Sequence, residues 1–415
     1  MKRLFGHVLV RRSALFAISI VASTLVGLFS IPVLVSTFGA AQWGLLAVMQ
    51  VACQFFAVLV AFGWGATGPS MVSALPVDQR KAVYRQSLEF RGILFLVLAP
   101  VASVICLVLT GQPVVVVALA AVSYVTPGLS AAWYLVGTNR PVALFFWDAL
   151  PAILGQVAGL LAVLVVPELW AYLLCTAVSG VGGAAGAAIY VLTRRADGRM
   201  RGAASVPTLD LIRSQFAGVS STLSASVWTA MPLILVQALA PSAAPVYAMV
   251  DRFMKYGVLA LAPVLQAVQG WVPEAGTGQV RARALQAVRI SMAVGSAGGV
   301  LLAALATPAS AVLTLGEATM PWLISVICGA AFLGECVAQI VGLSSLVALG
   351  GGRQLAVSSF ASAILGVPLM ALLIALWGLT GAAVGLLLVA SGLAVYRVAH
   401  ARRLAVAHGS AGAVE

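Results

Sequence analysis

The sequence predicts an all-α polytopic membrane protein with about 12 transmembrane helices in two six-helix lobes, related by pseudo-twofold symmetry along the membrane normal. The first observation is composition: the 415 residues are 62% hydrophobic and only 8% charged, with a mean hydropathy of +1.09. Soluble proteins average about 25% charged residues. The second is a series of twelve apolar runs long enough to span a bilayer. The third is that basic residues lie in alternate connections between these runs.

The predicted spans alternate with connections that differ sharply in charge. The spans are residues 14–36, 43–63, 91–110, 113–135, 142–165, 168–192, 214–239, 246–271, 285–306, 318–348, 355–377 and 380–400. Of the 23 Lys and Arg residues, 21 lie at the termini or in even-numbered connections, and the odd-numbered connections, such as residues 39–42 and 378–379, contain none. The positive-inside rule therefore predicts a protein of the cytoplasmic membrane with both termini cytoplasmic.

The chain divides by sequence into two similar halves. Residues 1–193 are predicted to form the N-terminal lobe, residues 194–213 a cytoplasmic linker rich in Gly, Ala and Arg, and residues 214–415 the C-terminal lobe with a short cytoplasmic tail. Two halves of six spans enter the membrane in the same orientation, which predicts a cavity between them, as in transporters. Pro32 and Pro232 occupy equivalent places and are the hinge candidates, although static kinks are the commoner role of such prolines.

The two remaining basic residues, Arg252 and Lys255, lie inside the eighth apolar run together with Asp251. A charge at such a depth costs about 2.5–3.5 kcal/mol on insertion scales, so it persists where it pairs, lines a wet cavity or binds a ligand. Arg252 and Lys255 are three residues apart and share a helix face. One interpretation is a cavity face that accepts an anionic lipid-linked substrate. The other is a self-neutralising cluster near the outer end of the helix.

Three acidic residues lie within predicted spans, and each is a candidate for binding a coupling ion: Asp148, Asp251 and Glu335. Intramembrane carboxylates often relay protons or cations. Asp148 precedes Pro151 by three residues, and a proline there bends the helix and frees a backbone carbonyl. Alternatively, each acid simply pairs with a cation.

Other features exclude several classes of function. The five cysteines lie in apolar runs without zinc or CxxC spacing, so we expect no disulfide, metal or cofactor. The net charge of +12 resides in the membrane-flanking connections, so no nucleic acid is expected as a partner. The outer connections are too short for an enzyme's aqueous site and carry only Glu168 and Glu317, so we predict no catalytic residues and no enzyme. Three pairs of glycines with GxxxG spacing, at positions 182/186, 295/299 and 381/385, predict close helix packing.

Several stretches, spread over nearly the whole chain, resemble a known family. They are residues 31–45 (IPVLVSTFGAAQWGL), 62–65 (FGWG), 132–140 (AWYLVGTNR), 246–253 (VYAMVDRF), 261–267 (LAPVLQA) and 347–350 (VALG) with Arg353. Their order and spacing resemble the polysaccharide (O-antigen type) flippases of the multidrug/oligosaccharidyl-lipid/polysaccharide exporter superfamily. Val136 departs from the pattern, since the family often has Gln there.

The resemblance implies a flippase that translocates a polyprenyl-pyrophosphate-linked oligosaccharide by alternating access, for cell-surface polysaccharide biosynthesis. It implies that Arg252 and Lys255 hold the pyrophosphate, with help from Arg140 and Arg353. The implied partners are the lipid-linked oligosaccharide, membrane lipids and the polysaccharide polymerase or assembly machinery. The alternative is an ion-coupled multidrug or cation exporter of the same superfamily, whose acidic cavity would be centred on Asp148 and Glu335.

Overall fold

The computed structural model of the chain describes residues 2–193, 212–213 and 215–411. Side chains are described over the same residues except at 2–22, 217, 221, 224, 275–278 and 407–411. The described part is helical throughout and contains no strand. Contacts divide the chain into two compact units, Met1–Ala230 and Met231–Glu415.

Over its described residues, unit 1 contains eight α-helices with defined bounds, two further helical residues at 212–213 and the first part of a ninth bounded helix. They are α1 (Lys2–Ala61), α2 (Trp64–Ala74), α3 (Val77–Thr110), α4 (Val114–Val125), α5 (Ala132–Gly137), α6 (Pro141–Leu144), α7 (Leu150–Val165), α8 (Leu169–Thr193) and the start of α9 (Phe216–Leu239). A 3₁₀ turn, Thr126–Leu129, follows α4, and a π-helical turn, Phe145–Ala149, precedes α7. The start of α9 packs on unit 1, where Thr67 donates a hydrogen bond from Oγ1 to Gln215 Oε1 and the Phe62 and Phe216 rings lie 5.7 Å apart.

Unit 2 contains the rest of α9 and four further α-helices. They are α10 (Ala244–Trp271), α11 (Gly276–Leu313), α12 (Trp322–Ile340) and α13 (Gly352–Ala411). Short 3₁₀ turns, Pro241–Ala243 and Pro273–Ala275, flank α10, and a π-helical segment, Val341–Leu346, follows α12. Buried residues of α11, α12 and α13 form one apolar cluster, so these three helices make the core of the unit.

Two of the helices are interrupted by glycines whose backbone φ and ψ angles lie outside the α-helical range. Gly39 in α1 has φ 81° and ψ 160°, and Gly378 in α13 has φ 55° and ψ −125°. A Cβ built on Gly381 would lie 1.8 Å from the Leu373 carbonyl oxygen, whereas residues eight apart in a straight helix are about 12 Å apart. The chain therefore reverses at Gly378, in the connection predicted at 378–379.

The number of spans agrees with the prediction. Nine helical stretches of the described residues are long and apolar enough to cross a membrane. Two of them, Ser23–Ala74 and Gly352–Val406, contain the interruptions at Gly39 and Gly378 and thus supply two spans each. The helix α10 is 28 residues long, about 42 Å at 1.5 Å per residue, and is long enough to supply the twelfth. The predicted fold class, an all-α polytopic membrane protein of two lobes, is confirmed.

The boundary between units lies inside α9, next to Pro232. The sequence placed its division at the linker 194–213 instead, and residues 194–211 and 214 lie outside the described residues. The division into two lobes and a linker thus stays a prediction, as does the hinge role of Pro32 and Pro232. Pro32 lies within α1, seven residues before the interruption at Gly39, and Pro232 is buried within α9.

Close helix packing occurs at most of the predicted glycines. A Cβ on Gly186 would lie 2.2 Å from the Trp147 ring, and one on Gly299 would lie 2.5 Å from the Gly329 carbonyl oxygen. The close approach is mutual, because a Cβ built on Gly329 would lie 2.3 Å from the Gly299 carbonyl oxygen. At Gly182, by contrast, a Cβ meets nothing within 4 Å, so the prediction of close packing is wrong at that position.

We expect Gly329→Ala to destabilise unit 2, because the added methyl group forces α11 and α12 apart along their closest contact. Overpacking of this kind costs about 1–3 kcal/mol. The measurement is thermal unfolding of the detergent-solubilised protein, followed by the fraction that stays monodisperse after heating. Gly182→Ala is the matched control, and equal melting temperatures for the two variants would contradict the packing described for Gly299 and Gly329.

Candidate functional site

The charged cluster of α10 contains an ion pair along one helix face. Lys255 Nζ lies 2.7 Å from Asp251 Oδ2, and the two side chains are 39% and 13% exposed, respectively. The pair follows from the helix geometry, since residues four apart are neighbours on a helix surface. Asp251 lies seven residues into α10, about 10 Å along its axis. The acid is thus the more buried partner, and the ammonium is the more accessible one.

The third charged residue of α10, Arg252, has a different hydrogen-bond partner from this pair. Arg252 donates from Nη1 to the hydroxyl of Tyr256 over 3.5 Å. Arg252 also acts electrostatically on Asp251. Arg252 and Lys255 thus have different hydrogen-bond partners, Tyr256 and Asp251, and their common role in binding a substrate stays a prediction.

The same helix packs closely against α12. A Cβ on Gly257 would lie 2.6 Å from the Phe332 ring. Tyr247, one turn before Asp251, is only 2% exposed and interacts electrostatically with both Asp251 and Cys328 of α12. The ion pair of α10 is therefore built next to a tightly packed helix interface within unit 2.

The acid predicted on α12 takes part in a second polar network. Gln339 donates from Nε2 to Glu335 Oε1 over 2.8 Å, as residues four apart on a helix can. The charge of Glu335 also acts on Arg397 of α13, a buried residue that is 6% exposed. Arg397 was assigned from the sequence to the C-terminal charges, and its burial within the protein was missed.

Arg397 binds the region where α12 changes its hydrogen-bonding pattern. It donates to the carbonyl oxygen of Ala338 at 2.9 Å and to the hydroxyls of Ser358 and Ser359 at 3.0 and 2.9 Å. The π-helical segment that begins at Val341 shifts the ordinary i to i+4 pattern. A guanidinium, with five donors, is suited to satisfy carbonyls exposed by such a shift.

Unit 1 contains the other predicted intramembrane acid, Asp148. It lies in the π-helical turn Phe145–Ala149 just before Pro151 and is exposed in the structure. Its Oδ1 accepts a hydrogen bond from the hydroxyl of Ser130. The predicted distortion of the helix beside Asp148 is present, in the form of this π-helical turn.

Asp148 is linked through Ser130 to a buried arginine that the sequence analysis missed. Arg91 of α3 is 1% exposed and donates to the carbonyl oxygens of Gly128 and Ser130, each at 3.0 Å, and to the hydroxyl of Ser87 at 3.0 Å. The guanidinium also lies 5.8 Å from the centre of the Trp133 ring. These bonds close the irregular end of α4, where helix carbonyls lack partners and a cation is favourable.

Arg91 was counted with the cytoplasmic connection because it stands at the edge of an apolar run. A signal for its burial is present in the sequence: Tyr84, Ser87 and Arg91 follow one another at helical spacing on one face of α3, and Tyr84 and Ser87 are also buried. Trp133 and Tyr134 are 4% and 6% exposed and belong to the core of unit 1.

The two predicted auxiliary cations lie at helix starts. Arg140 directly precedes α6, is partly exposed and interacts electrostatically with Tyr134. Arg353 is the second residue of α13 and is exposed. Each belongs to a different unit, so their predicted joint role in holding a phosphate stays a prediction, as do the roles of all other candidate site residues.

Comparison with solved structures identifies the fold. A structure of a multidrug resistance MATE family transporter of the MOP superfamily in an inward-facing conformation matches with a TM-score of 0.65 and 16% identity, over 94% of this chain and 96% of that chain. The chain has the MATE fold. An outward-facing conformation of such a transporter matches with a TM-score of 0.56 and 14% identity, over 97% and 96% of the two chains.

A third structure, of a MOP superfamily transporter from Pyrococcus furiosus, matches with a TM-score of 0.52 and 14% identity. The match covers 96% of this chain and 94% of that chain. That transporter is described as having a binding pocket of reverse polarity, which suggests a different function for it. No protein-family model and no curated protein sequence matches the chain. The superfamily fold implied by the sequence resemblance is confirmed, while the polysaccharide-flippase branch stays a prediction.

We expect Arg91→Met to destabilise unit 1 strongly, because the carbonyls of Gly128 and Ser130 lose a charged donor in an apolar setting. Each hydrogen bond to a charged group contributes about 1.5–3 kcal/mol. Arg85→Met is the matched control on the same helix: its ion pair with Glu89 has side chains 71% and 60% exposed, and exposed pairs contribute about 0–1 kcal/mol. Thermal unfolding should separate the variants, and equal stabilities would contradict the role of Arg91.

Proposed function

We propose that the protein is a flippase of the cytoplasmic membrane that translocates a polyprenyl-pyrophosphate-linked oligosaccharide by alternating access. The observation that carries the proposal is the position of Arg252 and Lys255 in the first half of α10, the helix that corresponds to the eighth predicted span. Two cations within an otherwise apolar segment are costly unless they have a function. A pyrophosphate crossing the membrane needs charged hydrogen-bond donors along its route, and guanidinium and ammonium groups are the natural ones.

The charge balance of α10 also supports an anionic substrate. This helix contains two cations, Arg252 and Lys255, and one acid, Asp251. The excess is one positive charge, which favours an anion over a cationic drug. A fold does not determine a substrate, and the P. furiosus fold neighbour, with its binding pocket of reverse polarity, agrees with that view.

The charge of the connections supports the proposed location. The basic residues flank alternate spans, so both termini and the connection at residues 194–213 are proposed to face the cytoplasm. Polysaccharide polymerase and assembly proteins are the proposed partners.

We expect the double variant Arg252→Ala/Lys255→Ala to lose translocation by at least tenfold, because each charged hydrogen bond to a phosphate contributes about 1.5–3 kcal/mol. The assay uses proteoliposomes and a fluorescent farnesyl-pyrophosphoryl N-acetylglucosamine, whose arrival in the outer leaflet is measured by dithionite quenching. Arg402→Ala/Arg403→Ala is the matched control, since it removes two exposed arginines from the end of α13. Full activity of the Arg252/Lys255 variant would exclude the proposed phosphate site.

A second candidate function is ion-coupled export of cationic drugs, and Asp148 is the observation that favours it. Its carboxylate is exposed within a predicted span of unit 1 and has a hydroxyl donor in Ser130. A strain lacking the gene distinguishes the candidates: the flippase predicts unchanged susceptibility to cationic dyes and antibiotics together with a loss of surface polysaccharide. The exporter predicts increased susceptibility, which Asp148→Asn should reproduce.

A further inference from the structure

The ammonium group that the flippase needs for a phosphate already has an anionic partner. Lys255 Nζ lies 2.7 Å from Asp251 Oδ2, within direct hydrogen-bonding distance. The ammonium is the more exposed partner, at 39%, and the carboxylate lies deeper, at 13%. A phosphate that reaches Lys255 from the accessible side must therefore displace a carboxylate that remains buried behind it.

The displaced carboxylate would be in an unfavourable setting. A buried ionised group without a partner is so costly that it neutralises instead. Arg252 acts electrostatically on Asp251 and donates to the hydroxyl of Tyr256, whereas Lys255 is the cation within hydrogen-bonding distance of the carboxylate. The other titratable neighbours are Tyr247 on the preceding turn and Cys328 from α12, and Glu335 lies two turns further along α12 with Gln339 as its partner. None of these three supplies a second cation, so we expect a proton to neutralise the acid.

We propose that Asp251 is an internal anion that competes with the phosphate of the substrate for Lys255, so that each phosphate bound takes one proton onto the Asp251 carboxyl group. In the bound state the ammonium pairs with a phosphate oxygen and the carboxyl group is neutral. On release the proton leaves and the Asp251–Lys255 pair forms again. This inference rests on the proposed function and assigns its regulation to a residue that does not touch the substrate.

The arrangement has two consequences for transport. The empty protein can change conformation without an unpaired charge on this face of α10, because the pair neutralises itself. The loaded protein carries one negative charge fewer than the substrate alone would bring, since a proton accompanies each phosphate. Binding should then weaken as the pH rises, beyond any effect of the substrate's own titration.

The test measures proton uptake on binding of farnesyl pyrophosphate to the purified protein in nanodiscs. Isothermal titration in buffers of different ionisation enthalpy gives the number of protons taken up per ligand. We expect the wild type to take up about one proton more than Asp251→Asn, as linkage requires for one group protonated on binding. Asp251→Asn should also bind the probe more tightly, because the competing anion is gone.

A control and a second measurement make the result decisive. Asp78→Asn, at an exposed acid in the first turn of α3, should behave as the wild type. If Asp251→Asn does not fold, infrared difference spectra of the wild type replace it, because the probe should produce a new band from a protonated carboxyl group. Proton uptake in Asp251→Asn equal to the wild type, or the absence of that band, would overturn the inference.

Lys255→Ala separates this inference from the proposed function. If it binds farnesyl pyrophosphate as tightly as the wild type, Lys255 is not a phosphate ligand and the proposed function loses its site. If it binds weakly while the wild type and Asp251→Asn take up the same number of protons, the phosphate site stands and the competition by Asp251 is wrong.

Discussion

The cost of placing a charge in an apolar helix is the constraint on which the rest of this structure depends. Each of the three acids within the predicted spans has a hydrogen-bond donor: Lys255 for Asp251, Ser130 for Asp148 and Gln339 for Glu335. The donors differ, and the difference matters. A hydroxyl or amide leaves the charge of the carboxylate in place, whereas an ammonium cancels it. The Asp251–Lys255 ion pair is therefore neutral overall, and we expect it to separate when a competing ion or a proton binds.

A second use of charge is architectural. In each unit a buried arginine binds backbone carbonyls where a helix loses its regular pattern: Arg91 at the end of α4 and Arg397 at the end of α12. Both guanidinium groups are buried in the protein, at 1% and 6% exposure, so they satisfy these carbonyls in place of water. Cations that have this structural role are committed to the backbone, so the number of buried cations overstates the number that can meet a ligand. This is why α10, whose cations bind side chains, carries the functional proposal.

The fold was largely predictable because the bilayer restricts a chain to a few solutions. Apolar runs and the alternation of basic connections were enough to predict twelve spans, and the interruptions at Gly39 and Gly378 lie in connections predicted from the sequence. The candidate site was predictable only in part. The depth of Asp251, Arg252 and Lys255 is visible in the sequence, and so is the spacing that pairs Asp251 with Lys255. Arg91 and Arg397 were missed because residues at the edge of an apolar run look like topology signals.

The sequence by itself determined the membrane class, the number of spans and the presence of charges inside them, since hydropathy and charge act along the chain and need no knowledge of neighbours. Only the tertiary structure decided which partners the two buried arginines have, because Gly128, Ser130, Ala338 and Ser358 approach them from 37 to 59 residues away. Pairing is a property of three-dimensional distance, and in an apolar medium it is pairing that decides whether a charge stabilises the protein or is available to a ligand.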